Sequence, residues 1–394
     1  MKKPLLVALA ACLLAGTGAS ASIPKPRQDR TIAAHKAGAR RVTAPASRAP
    51  IYRVRTQAPL PKTAAAPVIR GGPWTEPTYA DSTEGDHVDG EDLVIRRAAV
   101  EALGPYNGSV VAVDPNTGRI LSMVNQKVAL GTGFQPCSTI KIAVALAGLS
   151  EKAIQPANRF RLGGLRMDLT YALARSNNYY FATLGEKLGF EKVGYYARLF
   201  GYGERAGLNV TGEQPGRFPS APPQNGGVGM LCSFGEEISQ TPLQLAALMS
   251  AIANGGWLYY LQYPRNQDEV RSFVPRVKRR LEIGSLIPSV KPGMRGAVQF
   301  GTAHRAREDG PIAGKTGTCS ENHTHLGWFG SFNDTGRHKL VVVVLLTGGR
   351  PAIGPLAAGI AGEIYRRLGE KNYFAASQPF TPATLVSSQI CCAK

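Results

Sequence analysis

Apolar and polar residues alternate over residues 107–113 and 119–125, on either side of Pro115-Asn116-Thr117-Gly118. A period of two around a turn of that composition predicts a β-hairpin. The period then changes. Ile140, Ile142, Ala143, Val144, Ala145, Leu146, Ala147 and Leu149 follow Pro136 and read as a buried helix. The pattern stays helical to about Ala253. Residues 167–175 form one such stretch, Tyr179-Tyr180-Phe181 resumes it, and Thr241-Pro242 opens a further helix with a cap and a first-turn proline. Three strand-like runs follow at 312–319, 325–332 and 339–346, with Asn333-Asp334-Thr335-Gly336 turning between the last two. Residues 356–368 close as an amphipathic helix. The expected fold is α+β: an antiparallel five-stranded sheet flanked by helices, with a helical subdomain inserted between the second and third strands. The terminal helices are expected on one face and the helical subdomain on the other.

The ends of the chain read differently. Met1-Lys2-Lys3, a short apolar core from Leu5 to Gly16 and Ala19-Ser20-Ala21 make residues 1–21 a signal peptide. That core is shorter than the roughly 20 residues a membrane span needs. Leu9-Ala10-Ala11-Cys12 resembles a lipoprotein box, which would anchor the chain through Cys12, but its apolar core would be very short. Residues 22–92 are a basic, Ala/Pro-rich stretch, expected to be a disordered tail and linker because such a composition cannot bury a core. It supplies much of the formal net charge of +19 over 394 residues. Either it contacts a membrane surface or anionic wall polymer, or it is a solvated spacer. An exported chain without interleaved aromatics in its basic run excludes nucleic acid as a partner. The expected location is the periplasm or another extracytoplasmic part of the envelope. Residues 93–370 form the single large domain and 371–394 a loose tail.

Three motifs carry chemistry. In Ser138-Thr139-Ile140-Lys141, residues three apart share a helical face, so a hydroxyl and an amine are neighbours. Serine needs a base to lose its proton, and lysine serves only if its pKa is lowered, by burial or by a second cation such as Lys315. Ser176-Asn177-Asn178 is a polar break between apolar helices: Ser176 is placed to pass a proton and Asn178 to hold an amide. In Lys315-Thr316-Gly317-Thr318, the glycine lets another backbone lie close, and Lys315, Thr316 and Thr318 offer donors to a carboxylate. The backbone N–H groups of Ser138 and Thr318 are the expected oxyanion pair.

In this order the motifs resemble those of the transpeptidase domain of penicillin-binding proteins. The likeness extends to residues 110–121, Phe200-Gly201-Tyr202-Gly203, Gly207-Leu208 to Gly212-Glu213, residues 240–246, Ala253-Asn254-Gly255-Gly256 and Gly301-Thr302-Ala303, and covers about residues 93–370. The resemblance implies a serine D,D-transpeptidase or D,D-carboxypeptidase. Ser138, Lys141 and Ser176 would be catalytic, and Asn178, Lys315, Thr316, Gly317 and Thr318 substrate-binding. Its partners would be peptidoglycan stem peptides and acylating β-lactams. No cofactor and no metal are implied. Two alternatives stand beside it: a class D type serine β-lactamase, which usually carries S-x-V where this chain has Asn178, and a non-catalytic penicillin-sensing module. Departures from the family are Cys137, where a small residue is common, and Cys319 with the polar residues 320–325 after the third motif.

Cysteine pairing stays open at this level. Cleavage after Ala21 leaves Cys137, Cys232, Cys319, Cys391 and Cys392, an odd number. A Cys137–Cys319 bond, a Cys232–Cys319 bond and free buried thiols are all compatible with an oxidising compartment. Cys319, His323 and His325 match no familiar zinc spacing.

Overall fold

The computed structural model describes residues 76–375, except 156–159, 163–164, 209, 309 and 350–352. The signal peptide, Cys12, most of the basic tail, Cys391 and Cys392 lie outside the described residues. Helix α1 (Leu93–Leu103) leads into the hairpin β1 (Gly108–Val113) and β2 (Ile120–Val124). Helices α2 (Gln126–Leu130) and α3 (Lys141–Ser150) follow, then the small hairpin β3 (Phe160–Leu162) and β4 (Leu165–Met167). Next come α4 (Leu169–Ala174), α5 (Asn178–Leu188), α6 (Phe190–Leu199), α7 (Gly227–Phe234) and α8 (Pro242–Asn254). A second small sheet, β5 (Trp257–Tyr259) with β6 (Val277–Arg280), encloses α9 (Gln267–Arg271), and α10 (Lys291–Gln299) precedes the long strands. These are β7 (Ile312–Glu321), β8 (Thr324–Asn333) and β9 (Leu340–Gly348), and α11 (Gly354–Glu370) is the last element among the described residues.

The main sheet is five-stranded in the order β2-β1-β9-β8-β7, and every pairing is antiparallel. The expected α+β architecture is thus observed. The first and last long strands meet at its centre: Val110 lies opposite both Val124 and Val344. Period two sorts their side chains between two cores. Val111, Val113, Val343, Leu345, Trp328 and Phe332 face the core shared with α3 and α8. Val110, Ala112, Val342, Val344, Leu346 and Phe329 face α1 and α11. A sheet covered on both sides needs apolar residues at every position, which explains the unbroken valine run 341–344. Helix α8 lies against the sheet and is buried all round; Thr241 and Gln244 cap it reciprocally.

The expected linker extends too far. Residues 76–92 belong to the folded body. Thr78 O accepts from Asn107 N at 2.9 Å, and Asp86 accepts from Asn125 N at 2.9 Å and Gln126 N at 2.8 Å. Glu91 is buried and accepts from Ser122 Oγ and Met123 N, each at 2.9 Å, and from Tyr263 Oη at 2.8 Å. Arg96 on α1 sits 2.8 Å from Asp86 and 3.6 Å from Glu91. Composition averaged over 22–92 hides this, because the acids that anchor the segment fall only in its last third.

Candidate active site

Ser138 does not open an α-helix, as its sequence context suggests. It lies in a 3-10 turn, Cys137–Ile140, and the α-helix begins at Lys141. Cys137 sits at φ 50°, so the chain enters the turn through the left-handed region. In a 3-10 turn, residues i and i+3 eclipse. The tighter turn therefore strengthens the expected neighbour relation: Lys141 Nζ is 3.0 Å from Ser138 Oγ.

The second motif closes on the same amine. Ser176 is held at φ 54°, between α4 and Asn177, whose side chain caps α5 by accepting from Tyr180 N. Ser176 O and Oγ lie 2.9 and 3.2 Å from Lys141 Nζ, and Asn178 Oδ1 completes its shell. The amide oxygen of Asn178 is therefore taken up by lysine rather than left wholly for a ligand. Lys141 is fully buried, with Phe181 and Phe234 rings near its amine. Burial pushes it down to about 7. Burial is the cause of that shift; the sequence reading also invoked Lys315. The repulsion is visible on the other partner: Lys315 is lowered by burial first and by Lys141 second.

The third motif lies on β7, the edge strand of the sheet. Lys315 Nζ donates to Ser176 Oγ at 2.8 Å and to Thr316 O at 3.0 Å, so Ser176 bridges the two amines. Thr316 Oγ1 is 2.6 Å from Thr302 Oγ1. Thr318 Oγ1 accepts from Gly354 N at 2.8 Å, which leaves its own proton to donate. Gly354 begins α11, so the positive end of that helix abuts the motif. Gly317 has no room for a side chain: a Cβ would lie 2.9 Å from Pro136 O and 3.2 Å from Cys137 Cβ.

Three fastenings hold the Ser138 turn to β7 and β8. Cys137 and Cys319 are disulfide-bonded, with Cα atoms 5.6 Å apart. Trp328 Nε1 donates to Gln135 O at 2.9 Å, and Gln135 N donates to Glu321 Oε2 at 2.8 Å. Cys232 is free and buried. With Cys319 in the disulfide and His323 in the turn after β7, these residues are not arrayed as ligands on one strand face. All eight expected site residues converge. Sequence reasoning missed Trp328, Glu321 and Gly354 as supports; Thr302 was signalled only by Gly301-Thr302-Ala303.

Residues 108–368 match the penicillin binding protein transpeptidase domain. The chain belongs to that family. Stage V sporulation protein D of Bacillus subtilis is 28% identical over 310 residues, 67% of this chain and 48% of that protein. The peptidoglycan D,D-transpeptidase MrdA of Haemophilus influenzae is 23% identical over 358 residues, covering 68% and 54%. The chain thus spans about half the length of the curated relatives it matches. A crystal structure of Pseudomonas aeruginosa PBP2 in complex with WCK 5153 shares the fold, with a TM-score of 0.62 and 24% identity over 74% of this chain and 78% of that one. Among the described residues, no helix is long and apolar enough to cross a membrane.

Proposed function

We propose that the protein is an exported serine D,D-transpeptidase acting on peptidoglycan stem peptides, with D,D-carboxypeptidase activity when water is the acceptor. One observation carries the reading: a buried lysine amine, lowered to about 7, contacts both the Ser138 and the Ser176 hydroxyls. Neutral Lys141 takes the Ser138 proton as Oγ attacks the penultimate D-Ala carbonyl. The Ser138 and Thr318 N–H groups hold the oxyanion. Ser176 relays the proton to the departing D-Ala amine, leaving an ester on Ser138. Lys315, Thr316 and Thr318 hold the terminal carboxylate, and its arrival favours the charged form of Lys315. Asn178 and the edge at Gly317 align the peptide. An acceptor amine then attacks the ester, its proton returns through Ser176 and Lys141, and Ser138 regains its hydroxyl. β-Lactams would acylate the same oxygen.

Intact-mass measurement after benzylpenicillin treatment, with peptide mapping, tests this. The expected result is a stable adduct on Ser138 that is absent in Ser138→Ala. Rapid turnover of a nitrocefin-type substrate would favour the β-lactamase alternative, and no adduct the sensing module.

A further inference from the structure

The rim of this site carries a group that the reaction above does not use. Arg175, the residue before Ser176, lies with its guanidinium carbon 5.8 Å from the ring centres of both Tyr171 and Phe300. The two rings are themselves stacked, 6.4 Å apart at 23°. They are large and apolar, yet 46% and 43% exposed, and Arg175 is exposed as well. Among the described residues no carboxylate pairs with Arg175. A guanidinium within cation–π range of two rings spends no N–H group on a charged partner there, so those groups stay available to an anion.

The position of this platform says what it can meet. Thr302 N donates to Ala174 O at 3.1 Å, and Thr302 Oγ1 bonds Thr316. Phe300 is thus two residues from the threonine that supports the carboxylate anchor. Arg175 is one residue from the serine that bridges the two lysines. In the reaction proposed above the anchor holds the leaving D-Ala, so the platform borders the leaving-group side. An acceptor amine must occupy the place the leaving amine vacated, with its own neighbouring carboxylate on the same anchor. Whatever extends beyond that centre reaches the rim.

We propose that Arg175, set beside the rings of Tyr171 and Phe300, is an acceptor subsite that takes a second carboxylate, one carried by the acceptor peptide beyond its amine-bearing centre. The inference rests on the proposed transpeptidase reading. A guanidinium cation with no carboxylate partner among the described residues makes the subsite favour an acidic peptide over a neutral one. D-Alanine, which has nothing beyond its own carboxylate, does not engage it.

The test is partition of one acyl-enzyme among acceptors. A thioester donor ending in D-alanine is mixed with D-alanine, with a stem-type peptide bearing the second carboxylate, or with the same peptide amidated there. In Arg175→Gln, transfer to the acid-bearing peptide should fall on the order of tenfold relative to hydrolysis, the scale of one lost charge-assisted hydrogen bond. Transfer to D-alanine and to the amidated peptide should be unchanged, and Arg175→Lys should recover part of the loss. An equal fall for all three acceptors, or none for the acid-bearing peptide, overturns the assignment. Benzylpenicillin acylation separates the two readings. If the wild type forms no adduct, the transpeptidase reading itself fails. If only the variant loses its adduct, Arg175 supports Ser176 and the subsite is refuted.

Discussion

At the scale of single residues, the site is governed by one amine kept dry. Lys141 is unprotonated to a useful extent near neutrality because burial disfavours its charge. Acylation by benzylpenicillin should therefore rise about tenfold per pH unit below about 7 and level off above it, as the neutral base accumulates. Stopped-flow measurement of adduct formation from pH 5 to 9 reads that limb directly. The same burial costs stability. Between about 7 and the ordinary lysine range the unfolded chain binds more protons than the folded one, so stability rises with pH across that window. Lys141→Met, which removes the buried amine, should be inactive and more stable than the wild type near pH 7. Its advantage in Tm should shrink as pH rises, and thermal melts at pH 7 and 9 check both points. The motif residues were legible because S-x-x-K, S-x-N and K-T-G occur together and in that order, each alone being a weak signal. The cause of the lysine shift was not, since charge proximity and burial look alike in sequence and the full burial of Lys141 in the fold separates them.

At the scale of elements, the proposed catalytic geometry depends on a turn pressed against a strand edge. Gly317 meets Pro136 and Cys137 at contact distance. Gly317→Ala should push the Ser138 turn away from β7, destabilising the fold by about 1–3 kcal/mol and slowing acylation more than the loss of stability explains. Urea melts and adduct rates on the same sample separate the two effects. The disulfide acts on the same contact, and it closes 182 residues of chain. Replacing both Cys137 and Cys319 with Ser should lower stability, by on the order of 5 kcal/mol in the chain-entropy limit. It should also slow acylation, because the Gln135 contacts to Trp328 and Glu321 then hold the turn alone. Denaturant midpoints with and without reductant would show it, and an unchanged midpoint would refute the coupling. Strand periods and the α8 cap were plain in sequence. The left-handed Cys137 and the pairing with Cys319 were not: an odd cysteine count leaves partners ambiguous, and a 3-10 turn has the same i, i+3 spacing as an α-helix.

At the scale of the whole molecule, the sheet is sealed on both faces and clasped at its N-terminal end. Residues 76–92 enter through Asp86 and Glu91, and burial raises the Glu91 carboxyl despite three hydrogen-bond donors and the nearby Arg96 cation. Glu91→Ala leaves Arg96 with one carboxylate, Asp86, besides its bond to Met123 O, and leaves Met123 N without its acceptor. Stability should fall by about 3 kcal/mol, and a chain starting at residue 93 should lose at least as much; calorimetry on both variants checks it. The α+β architecture could be read from where alternating and helical periods fall, whereas this clasp could not, because its partners are scattered over β2, α1 and Tyr263. The pairing of β1 with β9 has a further consequence. The opening strand finds its central neighbour only when residues 341–346 exist. A nascent chain halted before that point has Ser138 and Lys141 but no β9 to join the hairpin to β8 and β7. On the proposed mechanism chemical competence therefore waits for β9, one late long-range closure, and a chain halted before it is inert.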